Sequence, residues 1–217
     1  MKLLAIVGTA RRDGSVSRLC KSIIKGAEAS GIECNLINLY DYTINYCTGC
    51  RTCSKDGRGK CCQEDDFEKV AAKFAESDIT ILGSPLYWAN ISGIMKNFFD
   101  RSMSLEYIFP KGDEYQKLPF FTKVKTAINE MKKIRMRDGI ENKKYIIVTA
   151  MTGLAIIDIF TGQSSLFKKN MKQYIHGLKG KLIKTFVYTD TFLKFSKCKE
   201  EKMLRRAYNY GRQLRLD

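Results

Sequence analysis

The sequence predicts an α/β fold, a doubly wound, all-parallel five-stranded sheet with helices on both faces. Two observations carry this. Short apolar, β-branched runs alternate with segments of helical periodicity, the order produced by right-handed crossovers between parallel strands. The strand runs are also nearly continuously apolar, as strands covered on both faces must be, whereas half-exposed strands alternate.

The elements follow in order. "LLAIVG" (Leu3 to Gly8) reads as the first strand, and Ser15 to Ala29 as a helix with Leu19, Ile23, Ile24 and Ala27 on one face. "CNLINL" is the second strand. "EDDFEKVAAKFAES" opens with carboxylates, which suit a helix N-terminus, and stripes Phe67, Val70, Ala71 and Phe74 along one side. "DITILGS" is the third strand, followed by a helix from about Ser92 to Ser102. "KYIIVTA" and "LIKTFVYT" are the fourth and fifth strands, with a helix from Ser164 to Leu178 between them and a basic helix from Lys199 to Leu214 at the end. Leu105 to Asn142 breaks the rhythm: it is long, basic and weakly periodic, and reads as an insertion with a functional or interface role. No linker, repeat or low-complexity tract divides the chain, so residues 1–217 read as one domain carrying a cysteine-rich loop at 46–62 and the insertion at about 105–142.

Composition narrows the class. With 44% hydrophobic and 28% charged residues, the chain has enough apolar material for a real core. No apolar run approaches the ~20 residues that cross a bilayer, and the N-terminus lacks signal-peptide layout, so a cytoplasmic location without membrane contact is expected. There thiols stay reduced, and clustered cysteines point to metal or redox chemistry more than to structural disulfides. The net charge of +15 comes from basic residues spread along the chain without a zinc-finger, RNP or basic-zipper pattern. It reads as a solvated basic surface suited to anionic ligands or acidic partners, and nucleic-acid binding is not expected.

In such a sheet, ligands bind just beyond the carboxyl ends of the strands. After the first strand, "GTARRDGSVSRL" supplies hydroxyls (Thr9, Ser15, Ser17), the Arg11 guanidinium and the N–H groups of a helix start, the parts of a metal-free anion site. The alternative is a helix cap made by Asp13 or Ser15. After the third strand, "GSPLYWANISGIMKNFFDR" stiffens a turn with Pro85 and presents Tyr87 and Trp88, with Asn90 and Ser92 nearby, where a flat aromatic ligand lies. The alternative is that the two aromatics pack as core against the insertion.

These two segments resemble the G-S-x-R-x-x-G-N-T-x-x-L and G-S-P-x-Y-x-x-x-x-S-x-x-K-x-F-x-D-R signatures of the NADPH-dependent FMN reductase family. "YCTGCRTCSKDGRGKCCQEDDF" between them is similar to the cysteine segment of the iron-sulfur flavoproteins of the same superfamily. The resemblance implies a flavodoxin-like fold with strand order 2-1-3-4-5, FMN as cofactor, NAD(P)H as co-substrate, and a homodimer or homotetramer. It puts the FMN phosphate on Thr9, Arg11, Ser15, Val16 and Ser17. The flavin ring falls against Ser84, Pro85, Leu86, Tyr87, Trp88, Asn90 and Ile91, and the loop Thr149, Ala150, Met151, Thr152, Gly153 closes over its edge. Val16 stands where the family has threonine, which removes one phosphate-binding hydroxyl.

Five of the eight cysteines fall between Tyr46 and Cys62. Cys47, Cys50 and Cys53 recur at every third position, and Cys61 follows after seven residues, a spacing that suits a 4Fe-4S cluster. The iron-sulfur flavoproteins carry this compact arrangement, and Cys62 is an alternative fourth ligand. Zinc, a redox dithiol, or free thiols remain open alternatives. No side chain is expected to act as a catalytic acid, since a flavin carries the chemistry; the single histidine, His176, lies late on a helix. The expected activity is an oxidoreductase moving electrons from NAD(P)H or a reduced ferredoxin-like donor to a small acceptor such as a flavin or quinone. The rival is a non-enzymatic electron carrier docking an acidic, ferredoxin-like partner.

Overall fold

The computed structural model describes residues 1–55, 60–107, 118–132, 135–153, 155–189 and 196–215. Five strands, β1 (Lys2–Val7), β2 (Glu33–Asn38), β3 (Ile79–Gly83), β4 (Lys144–Ala150) and β5 (Lys181–Tyr188), form one sheet in the order β2-β1-β3-β4-β5, and every neighbouring pair is parallel. This is the expected flavodoxin-like order. Among the described residues the longer helices are α1 (Ser15–Glu28), α2 (Phe67–Glu76), α3 (Gly93–Arg101), α4 (Phe120–Lys132), α5 (Ala155–Thr161), α6 (Gln163–Gly177) and α7 (Ser196–Arg212), with one further helical turn, Thr52–Lys55, in the cysteine loop.

Because side chains alternate across a strand, each central strand feeds two cores. Leu4, Ile6, Leu82, Tyr145 and Ile147 meet Phe67, Val70 and Phe74 of α2, Met95 and Phe98 of α3, and Phe167 and Met171 of α6. Leu3, Ala5, Val7, Ile79, Ile81, Ile146 and Val148 meet Val16, Leu19 and Ile23 of α1, and Ala207 of α7. Each such fully buried Leu, Ile or Phe side chain stabilises the fold by roughly 1.5–3 kcal/mol through area removed from water. On the second face α1 and α7 pack almost backbone to backbone. A Cβ on Gly26 would fall 2.0 Å from the Tyr208 carbonyl oxygen, and one on Gly211 would fall 2.1 Å from that of Ile23.

One buried cation stands out in the first core. The Lys143 ammonium donates to the carbonyls of Ala75 (3.0 Å) and Ser77, closing the last turn of α2, and lies over the Phe74 ring. The favourable site at a helix C-terminus offsets its burial. Desolvation still pulls its pKa down to about 8.

The described part of the insertion carries more regular structure than its weak periodicity suggests. It contains α4 and a short antiparallel ribbon pairing Glu106–Tyr107 with Arg135–Met136. Leu105, Met136 and Ile140 are buried in the first core. The Arg137 N–H donates to the Leu105 carbonyl at 2.7 Å, and its guanidinium pairs with Glu68 at 2.7 Å. The expectation for residues 108–117 and 133–134 lies outside the described residues. Helix α5 has no counterpart among the expected elements. Its Ile156, Ile157, Ile159 and Phe160 are exposed, as are Phe120, Phe121, Val124 and Ile128 of α4. An outward-facing apolar surface lacks the polar face that gives an amphipathic helix its periodic signature. Among the described residues no helix is long and apolar enough to cross a membrane.

Candidate functional site

The loops after β1, β3 and β4 meet at the carboxyl edge of the sheet, where order reverses between β1 and β3. Two bonds fasten the first pair: the Gly8 N–H donates to the Gly83 carbonyl at 2.8 Å, and the Ser92 hydroxyl donates to the Gly8 carbonyl at 2.7 Å. The approach is close enough that a Cβ on Gly8 would fall 2.8 Å from the Ser92 oxygen.

In the first loop, Asn38 at the end of β2 donates from its side-chain amide to the Thr9 carbonyl at 2.9 Å. The Thr9 hydroxyl accepts from the Arg11 N–H, and the Ser17 hydroxyl donates to the Arg11 carbonyl at 3.0 Å. The loop therefore holds its shape through its own hydroxyls. Its N-cap is Gly14, with no side-chain cap, so neither Asp13 nor Ser15 fills the capping role considered from sequence. The N–H groups of Ser15, Val16 and Ser17 take no acceptor among the described residues, and they aim the positive end of a fourteen-residue helix into the loop. Arg12 is unavailable to a ligand there because it makes a two-bond ion pair with Asp41 at 2.6 and 2.8 Å. The Arg12 carboxylate partner is held below the usual aspartate range by that bond. Arg11 is exposed beside the open N–H groups.

The second loop is a two-residue turn. Tyr87 and Asn90 exchange both backbone hydrogen bonds at 2.9 Å, and Trp88 and Ala89 between them have φ of 48° and 59°. A turn with positive φ at both central residues usually carries Asn-Gly. Here Trp and Ala hold it, at a strain cost of about 1–3 kcal/mol each. Tyr87 is 58% exposed and Trp88 101% exposed, so the alternative of core packing against the insertion fails. Ser84 anchors the base of the loop: its hydroxyl accepts from the Ser92 N–H at 2.9 Å. Asn90 caps the exit, accepting from the Ile91 N–H at 2.8 Å and from the Asn170 amide at 3.3 Å. Leu86 is buried, with its N–H on the Ala150 carbonyl at 3.1 Å, which ties this loop to the third.

In the third loop Thr149 and Ala150 are the last residues of β4, and the Met151 N–H donates to the Tyr188 carbonyl at 2.9 Å. Thr149 is fully buried, and its hydroxyl has no hydrogen-bond partner among the described residues. An unpaired buried hydroxyl is costly and marks the end of β4 as a place with polar capacity to spare. Thr152 is exposed and Gly153 half-buried.

The cysteine loop leaves the fold through a closed neck. The Asp66 N–H donates to the Thr43 carbonyl at 2.9 Å while the Asp66 carboxylate accepts from the Thr43 N–H at 2.9 Å. Asp65 accepts from the N–H groups of Asn45 (2.9 Å) and Phe67 (3.0 Å), and Gln63 donates to the Tyr46 carbonyl at 3.1 Å. Behind the neck the Arg101 guanidinium grips Asp65 at 2.5 and 3.1 Å, with side chains only 1% and 2% exposed. It also donates to the Asn45 carbonyl at 2.8 Å, stacks over the Phe67 ring, and borders the Cys61 thiol. Burial is the largest influence and opposes the Asp65 charge; the Arg101 guanidinium and the Phe67 and Asn45 N–H groups together outweigh it, so the Asp65 pKa lies below the ordinary value.

Among the described residues, Cys47, Cys50, Cys53 and Cys61 do not converge on one centre. Cys50 and Cys62 do meet, with Sγ atoms 3.6 Å apart. Hydrogen bonds from Thr52, chiefly its hydroxyl, and from Cys62 and Thr48 bring the Cys50 pKa down to about 6. Away from the loop, burial pushes Cys20 up to about 12 and the half-buried Cys34 up to about 11, which leaves both inert. The side chain of Cys198 lies outside those described.

Comparison with known proteins fits this geometry. The model of the NADPH-dependent FMN reductase family matches residues 1–130. The chain belongs to that family. An iron-sulfur flavoprotein of Archaeoglobus fulgidus is 39% identical over 103 residues, covering 48% of this chain and 46% of that protein. An iron-sulfur flavoprotein of Methanocaldococcus jannaschii is 36% identical over 109 residues, covering 50% and 55%. The chain spans about half the length of the curated relatives it matches. Among solved structures, an NAD(P)H:quinone oxidoreductase from Methanothermobacter marburgensis aligns with a TM-score of 0.74 at 15% identity over 99% of both chains. An azoreductase from Bacillus anthracis aligns with a TM-score of 0.68 at 15% identity, over 99% of this chain and 100% of that one. At such identities the likeness shows the shared fold.

Within the family frame, the structure adds residues that motif reading did not single out. Asn38 sets the first loop from the neighbouring strand, and its position at the end of β2 was the available signal. Asp65 and Arg101 join the cysteine loop to α3, a pairing 36 residues apart in the chain that no local pattern reveals.

Proposed function

We propose that this reductase-family chain is an FMN-dependent oxidoreductase that takes electrons from NAD(P)H, or from a reduced ferredoxin-like donor, and passes them to a small acceptor such as a flavin or quinone. The observation that carries the reading is the bonded pairing of an uncapped helix start with a strained aromatic turn at the reversal point of the sheet.

The open N–H groups of Ser15, Val16 and Ser17, the Thr9 and Ser15 hydroxyls and the Arg11 guanidinium suit a phosphate. The backbone N–H at Val16 serves in place of a lost hydroxyl. Ser84, Pro85, Leu86, Tyr87, Trp88, Asn90 and Ile91 offer a wall for the flavin ring, with the Trp88 face free to stack. Thr149, Ala150, Met151, Thr152 and Gly153 border the far edge, and the spare Thr149 hydroxyl is a donor for a ring heteroatom. Bound there, FMN supplies hydride acceptance and release. The chain's own part is to orient the ring, hold the phosphate and keep water off one face.

The cysteine loop supplies soft thiolates suited to iron and sulfide, and Cys47, Cys50, Cys53 and Cys61 are the proposed ligands of a 4Fe-4S cluster. Support comes from the donor chemistry, from the ligand spacing and from relatives named iron-sulfur flavoproteins. A cluster supplies one-electron steps; the neck and Arg101 hold its loop beside α3. The +15 charge supports a second reading, a carrier that docks an acidic protein partner. The exposed apolar faces of α4 and α5 support a homodimer or homotetramer built from further copies of the chain.

Steady oxidation of NADPH or NADH by the FMN-loaded protein with a soluble flavin or quinone tests the enzyme reading. Electron exchange only with a protein partner would establish the carrier reading in its place.

A further inference from the structure

Cys61 and Cys62 give the loop one thiol more than a four-thiolate site uses. The structure separates the two. Cys61 borders the buried Arg101 guanidinium, and its N–H faces Glu68, whereas Cys62 lies at the exposed side with its Sγ 3.6 Å from Cys50 Sγ. The neck bonds at Tyr46, Asn45 and Thr43 hold both limbs of the loop, so the Cys50–Cys62 approach spans twelve residues between fixed ends. A disulfide is about 2.05 Å long, so closure asks for a combined shift of about 1.5 Å at two exposed side chains.

We propose that Cys50 and Cys62 form a reversible disulfide in the metal-free protein, with a hydroperoxide as the oxidant. The Cys50 sulfur attacks one peroxide oxygen and the O–O bond breaks, leaving a sulfenic acid on Cys50 and releasing one water. The Cys62 sulfur then displaces the hydroxyl from Cys50, forming the S–S bond and a second water. Two thiols lose two electrons and two protons, and one peroxide is reduced to two waters. An external dithiol restores both thiols. The bond occupies Cys50 and so withholds it from metal; this consequence, unlike the bond, rests on the cluster reading above.

The test uses the full-length, FMN-loaded, iron-free chain treated with stoichiometric hydrogen peroxide. The expected result is a mass lower by two hydrogens, loss of two maleimide-reactive thiols, a peptide cross-linked through Cys50 and Cys62, and full reversal by dithiothreitol. Cys62→Ser is expected to lose the cross-link and to stop at a Cys50 sulfenic acid that dimedone traps. A Cys61–Cys62 or Cys50–Cys53 link, or no loss of thiols, overturns the proposal. Anaerobic reconstitution with iron and sulfide then reads the consequence. Peroxide-treated wild type is expected to take up no iron until dithiothreitol is added, and Cys62→Ser to take up iron whether treated or not once reduced. Loss of iron from Cys62→Ser in the untreated state makes Cys62 a ligand and overturns its role as the spare thiol. Failure of every form, untreated wild type included, to take up iron defeats the cluster reading alone, and the peptide map still decides the disulfide.

Discussion

Arg101 and Asp65 form a buried, two-bond ion pair that ties the last residue of α3 to the base of the cysteine loop. Removing one partner leaves the other charge buried and unpaired, which costs about 3–5 kcal/mol. Asp65→Asn is therefore expected to lower unfolding stability by that order in urea titration. The double change Asp65→Leu with Arg101→Met is expected to cost less than Asp65→Asn alone. Because the Asp65 pKa lies below its unfolded value, this stability is present above about pH 4 and is lost as pH falls through the folded value.

Ala89 holds a positive φ without being glycine. Ala89→Gly is expected to raise stability by about 1 kcal/mol, since the left-handed backbone then carries no Cβ penalty. Thermal unfolding of the flavin-free protein measures this. No gain would mean that the turn is not strained.

Lys143 titrates at about 8 when folded, against 10.5 when free. Between those values the unfolded chain binds more protons, so stability from this group rises with pH over that window. Lys143→Met is expected to flatten the rise when the two proteins are compared from pH 7.5 to 10.5. Equal slopes would contradict the assignment.

Cys50 sits near 6, so its thiolate dominates at neutral pH in the metal-free protein. Alkylation of Cys50 by iodoacetamide is expected to be half-maximal near pH 6. Thr52→Val removes the leading hydrogen bond and is expected to move that midpoint upward; an unmoved midpoint would refute the cause given.

Much of this was legible from local pattern. The inner strands announce themselves because buried parallel strands are nearly continuously apolar, as Leu3–Val7 of β1 is, whereas the edge strands β2 and β5 carry exposed polar positions. α1 and α2 announce themselves because one face is apolar. α5 does not, because Ile156, Ile159 and Phe160 face outward and leave no polar side to set the period. At the site, the hydroxyls and aromatics were readable as types, whereas their division of labour was not. Nothing local says that Arg12 goes to Asp41 while Arg11 stays open, or that Cys62 meets Cys50 while Cys61 borders Arg101. Those choices are set by contacts between residues well separated in the chain.

Titration of the flavin-free chain with FMN is the direct test of whether the paired loops after β1 and β3 hold the cofactor. Saturable uptake of one FMN per chain with altered flavin fluorescence is expected. Arg11→Ala is expected to weaken binding roughly tenfold or more, the scale of one hydrogen bond to a charged group. No flavin uptake by the wild-type chain would mean that these loops do not form an FMN site.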